Sequence, residues 1–529
     1  MKNKLVIIII FLLGLIGSYR FFRTGYPSMQ DDMHVFRLQQ YTQCIEDHQV
    51  PCRRISEGGF GYGYPLFNFY SPLPYSLGHL FHSVGFSYLD SVKLVFILTS
   101  FIRPIGMFLF SRLFFGSAGG LISAVIFSLA PYQALNSYVR GSIAENLALS
   151  LVPFIFWTIK SSRYRLLSFF ILLLSLSHNL TLLYTSPLIL LFLIQQKKLK
   201  SGLPYLILGY LMSSFFLLPA FFEKSYTNVK TMTQDYFDFH LHYTTLKQLF
   251  LSRFWGFGGS VWGEDDGMSF QIGYLQWIIP FLTMVLLLVK RKLATHKLIV
   301  FTFLLGLFSL FLTHNKSTFI WENISFLSYY QFPWRFLGLA TICFAFVSGS
   351  ITKLISPKII YLIIPLALIL NLNYFKEDIW YSSLTDSEKL SPQNIIAQSG
   401  AGLRDYWPNS GNLFPNEYAS DPVFTLGNGE ITSFYKNSLG ISGQINIYSP
   451  KATVTMPIVY FPNFTLIVDG QTYPFFVDKN LGLINIEFTQ GTHSFSLNFT
   501  NTPLRTISNI ISLLSFTLFV YLLRPKKDA

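Results

Sequence analysis

Charged residues are scarce in this sequence. Aspartate, glutamate, lysine and arginine together make up 12% of its 529 residues, whereas hydrophobic residues make up 51%. A soluble protein of this length carries about twice that proportion of charge. The mean hydropathy of +0.42 and the apolar runs along most of the chain therefore predict a polytopic α-helical membrane protein.

Acidic residues are fewer than basic ones, 26 against 39, which gives the chain a net charge of +13. An excess of this size is also found in nucleic-acid-binding proteins. Here, however, the basic residues bunch in short segments between apolar runs, which is the pattern of cytoplasmic loops in membrane proteins. We therefore expect the protein to contact membrane lipids and to have no nucleic-acid partner.

Cysteine is nearly absent, with three residues in the whole chain. No second Cys/His pair stands at ligand spacing from Cys44 and Cys52, which argues against a zinc site. Both cysteines fall in the first predicted outer loop, where a disulfide and two free thiols are equally compatible with the sequence. Cys343 falls within a predicted span and is expected to be packed there.

Motifs of nucleotide and hydrolytic chemistry are missing as well. The sequence contains no P-loop, dinucleotide fingerprint, GxSxG or HExxH pattern, so cytosolic nucleotide chemistry has no support.

The N-terminus predicts a retained signal-anchor, because an apolar run follows Lys2 and Lys4 and no small-residue cleavage site comes after it. Placing the N-terminus and every basic cluster in the cytoplasm gives about twelve spans. Residues 166–195 fit a short hairpin, with one long helix as the alternative. The predicted spans are 4–20, 91–112, 118–136, 144–159, 166–178, 181–195, 202–220, 272–289, 297–313, 336–350, 359–373 and 505–523.

The domain organisation follows from the change in composition along the chain. We expect a transmembrane domain over 1–373 with a long first outer loop, 21–90. Residues 374–504 regain polar residues on the outer side, and from about 440 they alternate as strands do. The prediction is a β-sandwich with turns at Asp469-Gly470 and Gln490-Gly491 and an edge strand at Pro457. A final span and a basic cytoplasmic tail occupy 505–529.

Asp31 and Asp32 follow the first span on the predicted outer face. Charges at a membrane boundary cost free energy unless they serve a function. A carboxylate there can act as a general base toward a hydroxyl, or ligate Mg²⁺ or Mn²⁺. The alternative, which has equal weight on spacing alone, is that the two acids complement the N-terminus of a predicted helix at 33–47.

Other candidates lie at the same predicted face. Arg140 can bind a phosphate, or pair with Glu145 to close a turn, and Arg335 beside Trp334 has the same two interpretations. His178 and Asn179 are polar at the tip of the predicted hairpin, which favours a function. Glu264-Asp265-Asp266 is more typical of a solvated turn than of a metal site. In the aromatic, glycine-rich run 58–75, the tyrosines can stack on sugar rings or sit in an interfacial loop; these are Tyr62, Tyr64 and Tyr70.

Several motifs occur together in this chain: Asp31 to Leu38, Gly61 to Tyr70, Ala130-Pro131-Tyr132, Tyr138 to Glu145, Gln331 to Arg335, and Tyr460 to Phe464 with Val468-Asp469-Gly470. Together they resemble a bacterial family of polytopic membrane proteins known as 6-pyruvoyl-tetrahydropterin synthase-related, membrane domain. That family is in turn similar to GT-C glycosyltransferases, which take sugar from a polyprenyl-phosphate or -pyrophosphate carrier. Their hallmark is an acid in the first outer loop.

The resemblance implies Asp32 as the base or metal ligand, with Asp31 second. From topology and charge we assign Arg140, His178 and Arg335 to the carrier phosphate. The expected protein is a GT-C-like, inverting glycosyltransferase of the bacterial cytoplasmic membrane. It would transfer a lipid-linked sugar at the outer face to an envelope glycan, lipid or protein. The alternatives are a transporter or flippase of lipid-linked saccharide and a non-catalytic envelope scaffold. A flippase predicts charges buried in mid-span and internal repeats, and the sequence shows no convincing repeat.

Overall fold

The computed structural model describes residues 3–261, 267–400, 402–419 and 421–524. The acidic run Glu264-Asp265-Asp266 and the basic tail after Arg524 lie outside these residues.

Helices dominate the described chain, as the hydrophobic runs predict. In chain order they are α1 Asn3–Ser18, α2 His34–Glu46, α3 Leu66–Phe69, α4 Leu73–Ser83, α5 Tyr88–Ser128, α6 Pro131–Ala134, α7 Ile143–Lys160, α8 Tyr164–Ser177, α9 Asn179–Gln195, α10 Leu199–Met212, α11 Ser214–Phe222, α12 Leu246–Phe250, α13 Tyr274–Val289, α14 Lys297–Thr313, α15 Thr318–Asn323, α16 Phe336–Gly349, α17 Ile360–Asn371, α18 Asp386–Lys389, α19 Pro392–Ser399, α20 Leu403–Tyr406 and α21 Pro503–Leu523.

Strands come mainly near the C-terminus. They are β1 Tyr26–Pro27, β2 Trp380–Tyr381, β3 Val423–Leu426, β4 Gly429–Asn437, β5 Gly440–Val459, β6 Phe464–Val468, β7 Gln471–Tyr473, β8 Phe476–Val477 and β9 Leu483–Phe499. The strand-rich region therefore begins about 17 residues before the predicted start at 440.

Six described helices are long and apolar enough to cross a membrane: Lys4–Phe22, Tyr88–Ser128, Ile143–Lys160, Pro333–Lys353, Pro357–Tyr374 and Pro503–Leu523. A seventh is added if the bent pair Leu199–Met212 and Ser214–Tyr226 counts as one span. The apolar helices α8, α9, α13 and α14 are shorter, at 10–17 residues. The expected twelve spans exceed this number because those four are short and because α5, which is kinked at Gly116, covers two predicted spans.

The chain forms two compact units, each built from segments far apart in sequence. The helical unit comprises Met1–Asp32, Leu89–Tyr210 and Thr233–Leu384, and the sheet unit comprises Met33–Tyr88, Leu211–Met232 and Thr385–Ala529. Residues 33–88 of the first predicted outer loop and the last predicted span thus belong to the sheet unit, whereas Asp31 and Asp32 belong to the helical unit.

Among the candidate spans of the helical unit, Pro333–Lys353, which contains α16, is the most enclosed at 94% buried, whereas Pro357–Tyr374, which contains α17, is 28% buried. α16 packs against α13 and α14, and α7 packs against α8 and α9. His178 separates α8 from α9 in an extended conformation, so residues 164–195 form two helices rather than one. A two-stranded pairing of β1 with β2 ties the exit of the first helix to residues near 380.

The sheet unit contains one seven-stranded antiparallel sheet in the order β3-β5-β9-β6-β7, with β4 on β5 and β8 on β9. The long strands β5 and β9 pair along both of their halves, with irregular register between Ile447 and Lys451. Inward residues from both halves share one hydrophobic core, so the sheet curls over itself at these bulges. The expected sandwich is therefore a single bent sheet.

The first outer loop contributes directly to the sheet unit. Phe69 belongs to the core of the sheet, and a disulfide joins Cys44 to Cys52. Beneath the loop, buried Glu223 accepts hydrogen bonds from Asn68 at 2.8 Å, from Thr502 at 2.8 Å and from Arg505 at 2.9 Å. These contacts bind the loop, the end of α11 and the start of α21 together.

Candidate functional site

The site is built on the segment between α6 and α7 in the helical unit. A π-helical turn, Leu135–Val139, ends in a hydrogen bond from the Arg140 backbone N–H to the Leu135 carbonyl at 2.9 Å. Gly141 follows with a φ of +66°, a conformation that a residue with a Cβ adopts only under strain. A Cβ at this position would also meet the side chain of Met29. The turn and the glycine together bring Arg140 back over the start of α7.

Glu145 lies in the first turn of α7 and is buried. Its Oε2 is 3.0 Å from Nη1 of Arg140, and its Oε1 accepts a hydrogen bond from the hydroxyl of Tyr132 on α6. Arg140 also donates to the amide oxygen of Asn136, and its guanidinium lies 4.5 Å from the ring centre of Trp334. The ion pair expected as one of the two interpretations of Arg140 is therefore present.

Arg140 keeps its charge in this setting. Burial is the largest single influence and disfavours the cation, but Glu145, Tyr132 and Asp31 together outweigh it, and the pKa of Arg140 is raised above its ordinary value. The guanidinium is consequently a fixed positive charge at any physiological pH.

Arg335 approaches the same carboxylate from the start of α16. Its Nη1 donates to the Tyr330 carbonyl at 2.9 Å and to Gln331 Oε1 at 3.2 Å, while its Nε lies 3.8 Å from Glu145 Oε2. Within the described residues this buried Nε has no hydrogen-bond partner. The loop that carries Arg335 is anchored because Tyr330 and Phe336 pack in a hydrophobic cluster around Trp321.

His178 caps the start of α9. Its Nδ1 accepts a hydrogen bond from the Thr181 backbone N–H at 3.3 Å and lies 2.8 Å from the Thr181 hydroxyl. An Nδ1 that accepts in this way leaves the proton of a neutral ring on Nε2. The charges of Glu145, Arg335, Arg140 and Asp31 all act on the ring. Asn179, the first residue of α9, is half-buried beside it.

Asp31 is held against this cluster by the main chain. Its N–H donates to the Arg140 carbonyl at 2.8 Å, and the Gln30 N–H donates to the Val139 carbonyl at 2.9 Å. The Asp31 side chain is exposed, and Asp32 follows it in the same turn, half-buried. The N-cap of the next helix is Met33, with no side-chain capping bond, so neither acid occupies the capping position itself.

The three candidate tyrosines lie in the sheet unit. Tyr64 is buried, so its ring packs inside the protein and presents no face to a sugar. Tyr62 and Tyr70 are half-buried. Tyr62 packs edge-on to Trp407, with ring centres 6.5 Å apart, and the Arg37 guanidinium lies 4.6 Å from the ring centre of Tyr70.

The structure adds residues that sequence reasoning did not single out for the site. Tyr132 and Asn136 complete the hydrogen bonds of Glu145 and Arg140. Arg103 of α5, only 1% exposed, donates to Asn146, the neighbour of Glu145. Among the described residues no acid forms an ion pair with Arg103. Its only sequence signal is a basic residue within an apolar run.

The arrangement can bind an anion next to an accessible acid. Glu145 is satisfied by Arg140 and Tyr132, which leaves the Nε donor of Arg335 available in a buried setting. Charge-assisted bonds from guanidinium groups suit phosphate oxygens. No group of three His, Cys, Asp or Glu side chains at metal-binding spacing occurs in the described part of the chain, so a cation here would take ligands from Asp31, Asp32 and non-protein oxygens.

Comparison with known proteins gives a family but no assigned activity. The family model "6-pyruvoyl-tetrahydropterin synthase related domain; membrane protein" matches residues 67–378. An uncharacterized protein of Lactococcus lactis subsp. cremoris (strain MG1363) is 27% identical over 236 residues. This match covers 40% of the present chain and 38% of the relative, so the chain spans well under two thirds of that protein. No solved structure matches the chain significantly.

Proposed function

The chain belongs to the family of 6-pyruvoyl-tetrahydropterin synthase-related membrane proteins, and from that premise we propose that it is a membrane glycosyltransferase. It takes sugar from a polyprenyl-phosphate carrier at the outer face of the bacterial cytoplasmic membrane. The acceptor is an envelope glycan, lipid or protein. The observation that carries this proposal is the cluster of Arg140, Glu145 and Arg335 with exposed Asp31 fixed to it through the Arg140 carbonyl.

In this reaction the acceptor hydroxyl attacks the anomeric carbon, and the bond from that carbon to the phosphate oxygen breaks. A carboxylate of the Asp31-Asp32 pair takes the hydroxyl proton. The phosphate leaves with the bonding electrons, and Arg335 stabilises its charge, supported by Arg140 and by the Nε2–H of His178. A single displacement of this kind inverts the anomeric centre. Mg²⁺ or Mn²⁺ held by the two aspartates would add further stabilisation of the phosphate.

We assign the outer face to this site on two grounds. The Cys44–Cys52 disulfide lies in the segment that follows Asp32, and disulfides persist in oxidising compartments. The basic clusters that separate the apolar helices fit a cytoplasmic location. Because no nucleotide-sugar pool is expected outside the cytoplasm, a donor used there has to arrive on a lipid.

The proposed topology has twelve spans and a GT-C-like arrangement. α5 is 41 residues long with a non-helical Gly116, so at about 1.5 Å per residue it is roughly twice as long as the hydrocarbon core is thick. It therefore accounts for two spans joined at Gly116. The shorter helices α8, α9, α13 and α14 supply four more, with their ends at headgroup depth.

One observation favours a second candidate, a flippase of lipid-linked saccharide. That hypothesis predicts charges buried within spans, and Arg103 of α5 is such a charge. In membrane segments, ionisable residues of this kind often mark a transport path. The test below separates the two functions because it measures sugar transfer and lipid movement in the same vesicles.

The test uses purified full-length protein in liposomes with radiolabelled polyprenyl-phosphate sugars and an envelope extract as acceptor. The variants are Asp31→Asn, Asp32→Asn and Arg335→Gln. Asp378→Asn is the matched control, since Asp378 is an exposed acid of the same unit. The proposal expects transfer by wild type and by the control, and its loss in Arg335→Gln and in one aspartate variant. Movement of lipid without transfer would replace the glycosyltransferase by the flippase.

A further inference from the structure

An apolar cavity of about 320 Å³ lies within the helical unit. Helices α5, α7, α9, α14 and α16 line it, mostly with phenylalanine, leucine and isoleucine. The principal lining residues are Phe110, Phe156, Phe192, Phe301, Ile342 and Phe346. A site that is lined in this way binds hydrocarbon and offers almost nothing to a polar ligand.

On α16, residues that line the cavity share a face of the helix with Arg335 of the candidate site. Leu339, Ile342 and Phe346 line the cavity, and they stand four, seven and eleven residues after Arg335. At 100° per residue all four residues fall on one face. The distance along the helix from Arg335 to Phe346 is about 16 Å.

Helix α7 repeats this relation. Glu145, which contacts both arginines, precedes the lining residue Phe156 by eleven residues, which is three turns on the same face. Two neighbouring helices therefore present charge at one end of a face and an aromatic hydrocarbon surface farther along it. This is the pattern that suits an amphiphile with an anionic head.

The cavity is closed at the back and open at one side. Phe192 and Phe346 are 7% and 2% exposed, whereas Leu191 and Ile194 of α9 and Phe301 of α14 are 49%, 51% and 47% exposed. All five residues line the cavity. The opening therefore lies between α9 and α14, where exposed apolar side chains of a membrane protein meet lipid.

We propose that this cavity receives the hydrocarbon chain of the lipid-linked donor while its phosphate lies at Arg335. The proposal rests on the proposed function for the identity of the head group. A polyprenyl carrier has one chain whereas a bilayer phospholipid has two, so the carrier has to insert only a single chain between α9 and α14. The chain enters sideways from the membrane through the gap between α9 and α14.

The experiment is photo-crosslinking of the full-length protein in nanodiscs. The probe is a polyprenyl monophosphate with a diazirine on its hydrocarbon chain, and the labelled peptides are mapped by mass spectrometry. A phosphatidylglycerol with a diazirine on one acyl chain is the competing probe. The blocking variants are Ile342→Trp, inside the cavity, and Thr302→Trp, at its half-buried edge. The matched control is Leu362→Trp on the lipid-exposed surface of α17.

The polyprenyl probe is expected to label peptides of α9, α14 and α16. Labelling should fall about ten-fold in at least one blocking variant that retains the wild-type melting temperature, and stay unchanged in the control. Equal labelling of the same peptides by the phospholipid probe would assign the cavity to bilayer lipid and overturn the proposal. Labelling that no blocking variant reduces would overturn it as well.

The outcome also separates this inference from the proposed function. The aspartate variant that abolishes transfer, Asp32→Asn or Asp31→Asn, should keep the label, because neither acid lines the cavity. If the wild-type protein is labelled but transfers no sugar, the lipid site is supported and the glycosyltransferase function is not. If a blocking variant transfers sugar as well as wild type does, the glycosyltransferase function is supported and the role of this cavity is not.

Discussion

At the scale of single residues, Glu145 sets the charge balance of the site. It is buried, and its two oxygens face Arg140, Arg335 and Tyr132. Its replacement by Gln leaves two guanidinium groups facing each other with no carboxylate between them. Breaking a buried ion pair from one side costs about 3–5 kcal/mol, so Glu145→Gln should lower the free energy of unfolding by about that amount, measured by denaturant unfolding in detergent.

Glu322→Gln provides the control for this prediction. Glu322 is 58% exposed and lies 3.5 Å from His240, and exposed ion pairs contribute less than about 1 kcal/mol. An equal effect of both substitutions would mean that the Glu145 contacts are not a special source of stability.

Arg335 is expected to act through the geometry of its guanidinium as well as through its charge. Arg335→Lys keeps the charge but loses the planar pair of donors that fits a phosphate. We expect a rise of about ten-fold or more in the KM for a lipid-phosphate sugar with a smaller change in kcat. Steady-state kinetics in liposomes measures this, and an unchanged KM would remove Arg335 from donor binding.

The sequence identified some of these residues and missed others for understandable reasons. Arg140 and Glu145 stand out because they are charged and close in sequence, and both interpretations of the pair were visible. Their contact with Arg335, nearly two hundred residues away, follows only from how α7 and α16 pack. Tyr132 stands in one of the family motifs, but nothing in the sequence indicated a role at the site, because its hydrogen bond to Glu145 depends on the π-helical turn.

At the scale of elements, α5 makes the sharpest topological prediction. If it crosses the membrane twice, the exposed residue Ser117, next to Gly116, lies in the cytoplasm. A cysteine at 117 should then react with a membrane-impermeant maleimide only in inverted vesicles, while one at Ser382 should react only from outside. The native cysteines do not interfere, because Cys44 and Cys52 are paired and Cys343 is buried. Outside labelling at 117 would contradict the double crossing.

The β6–β7 hairpin predicts a response to acid. The His493 side chain and the Ser494 backbone N–H both bond to Asp469 and lower the pKa of its carboxyl below the ordinary value of 3.8. A lowered pKa means that the bonded carboxylate stabilises the fold at neutral pH and that this contribution disappears as the pH falls through the lowered value. Amide exchange in β6 and β7 should therefore accelerate at low pH in wild type relative to Asp469→Asn.

The Asp469→Asn substitution keeps the turn intact, because Asn tolerates the positive φ of position 469 as well as Asp does. Identical exchange in both proteins at every pH would show that the carboxylate adds nothing to the hairpin.

The sequence predicted this hairpin correctly and its neighbours less well. Asp469-Gly470 forms the two-residue turn between Val468 and Gln471. Gln490-Gly491 was wrong as a turn, because β9 continues through it, bending there with β5 alongside. Pro457 was wrong as an edge marker, since β5 is central. The residue lies where the ladder shifts between Thr455 and Val459, so the N–H that it lacks breaks no regular pair.

At the scale of the whole molecule, the sheet unit depends on one buried carboxylate. Glu223 accepts hydrogen bonds from Asn68 in one distant segment and from Thr502 and Arg505 in another. Glu223→Gln should destabilise the protein by about 3–5 kcal/mol, because it leaves the Arg505 cation buried without an acid. Thermal unfolding, monitored by amide hydrogen exchange within the sheet unit, measures this. Glu388→Gln in the exposed helix α18 is the control.

The sequence could not show how the segments divide between units. Composition separates the apolar region 1–373 from the polar region after it, and that boundary follows the chain. The structure instead groups residues 33–88 with 385–529, since Asn68 and Phe69 find their partners there. Contacts of this range leave no local trace in hydrophobic periodicity.

Residues that are far apart in the sequence are also synthesised at different times. Arg53 donates to Asn509, 456 residues later, and at 5–20 residues per second the ribosome needs roughly 20–90 s to produce the second residue after the first. The disulfide spans only 8 residues and can close early. The first loop can therefore form its disulfide while Arg53 still lacks its partner Asn509, which has not yet been synthesised.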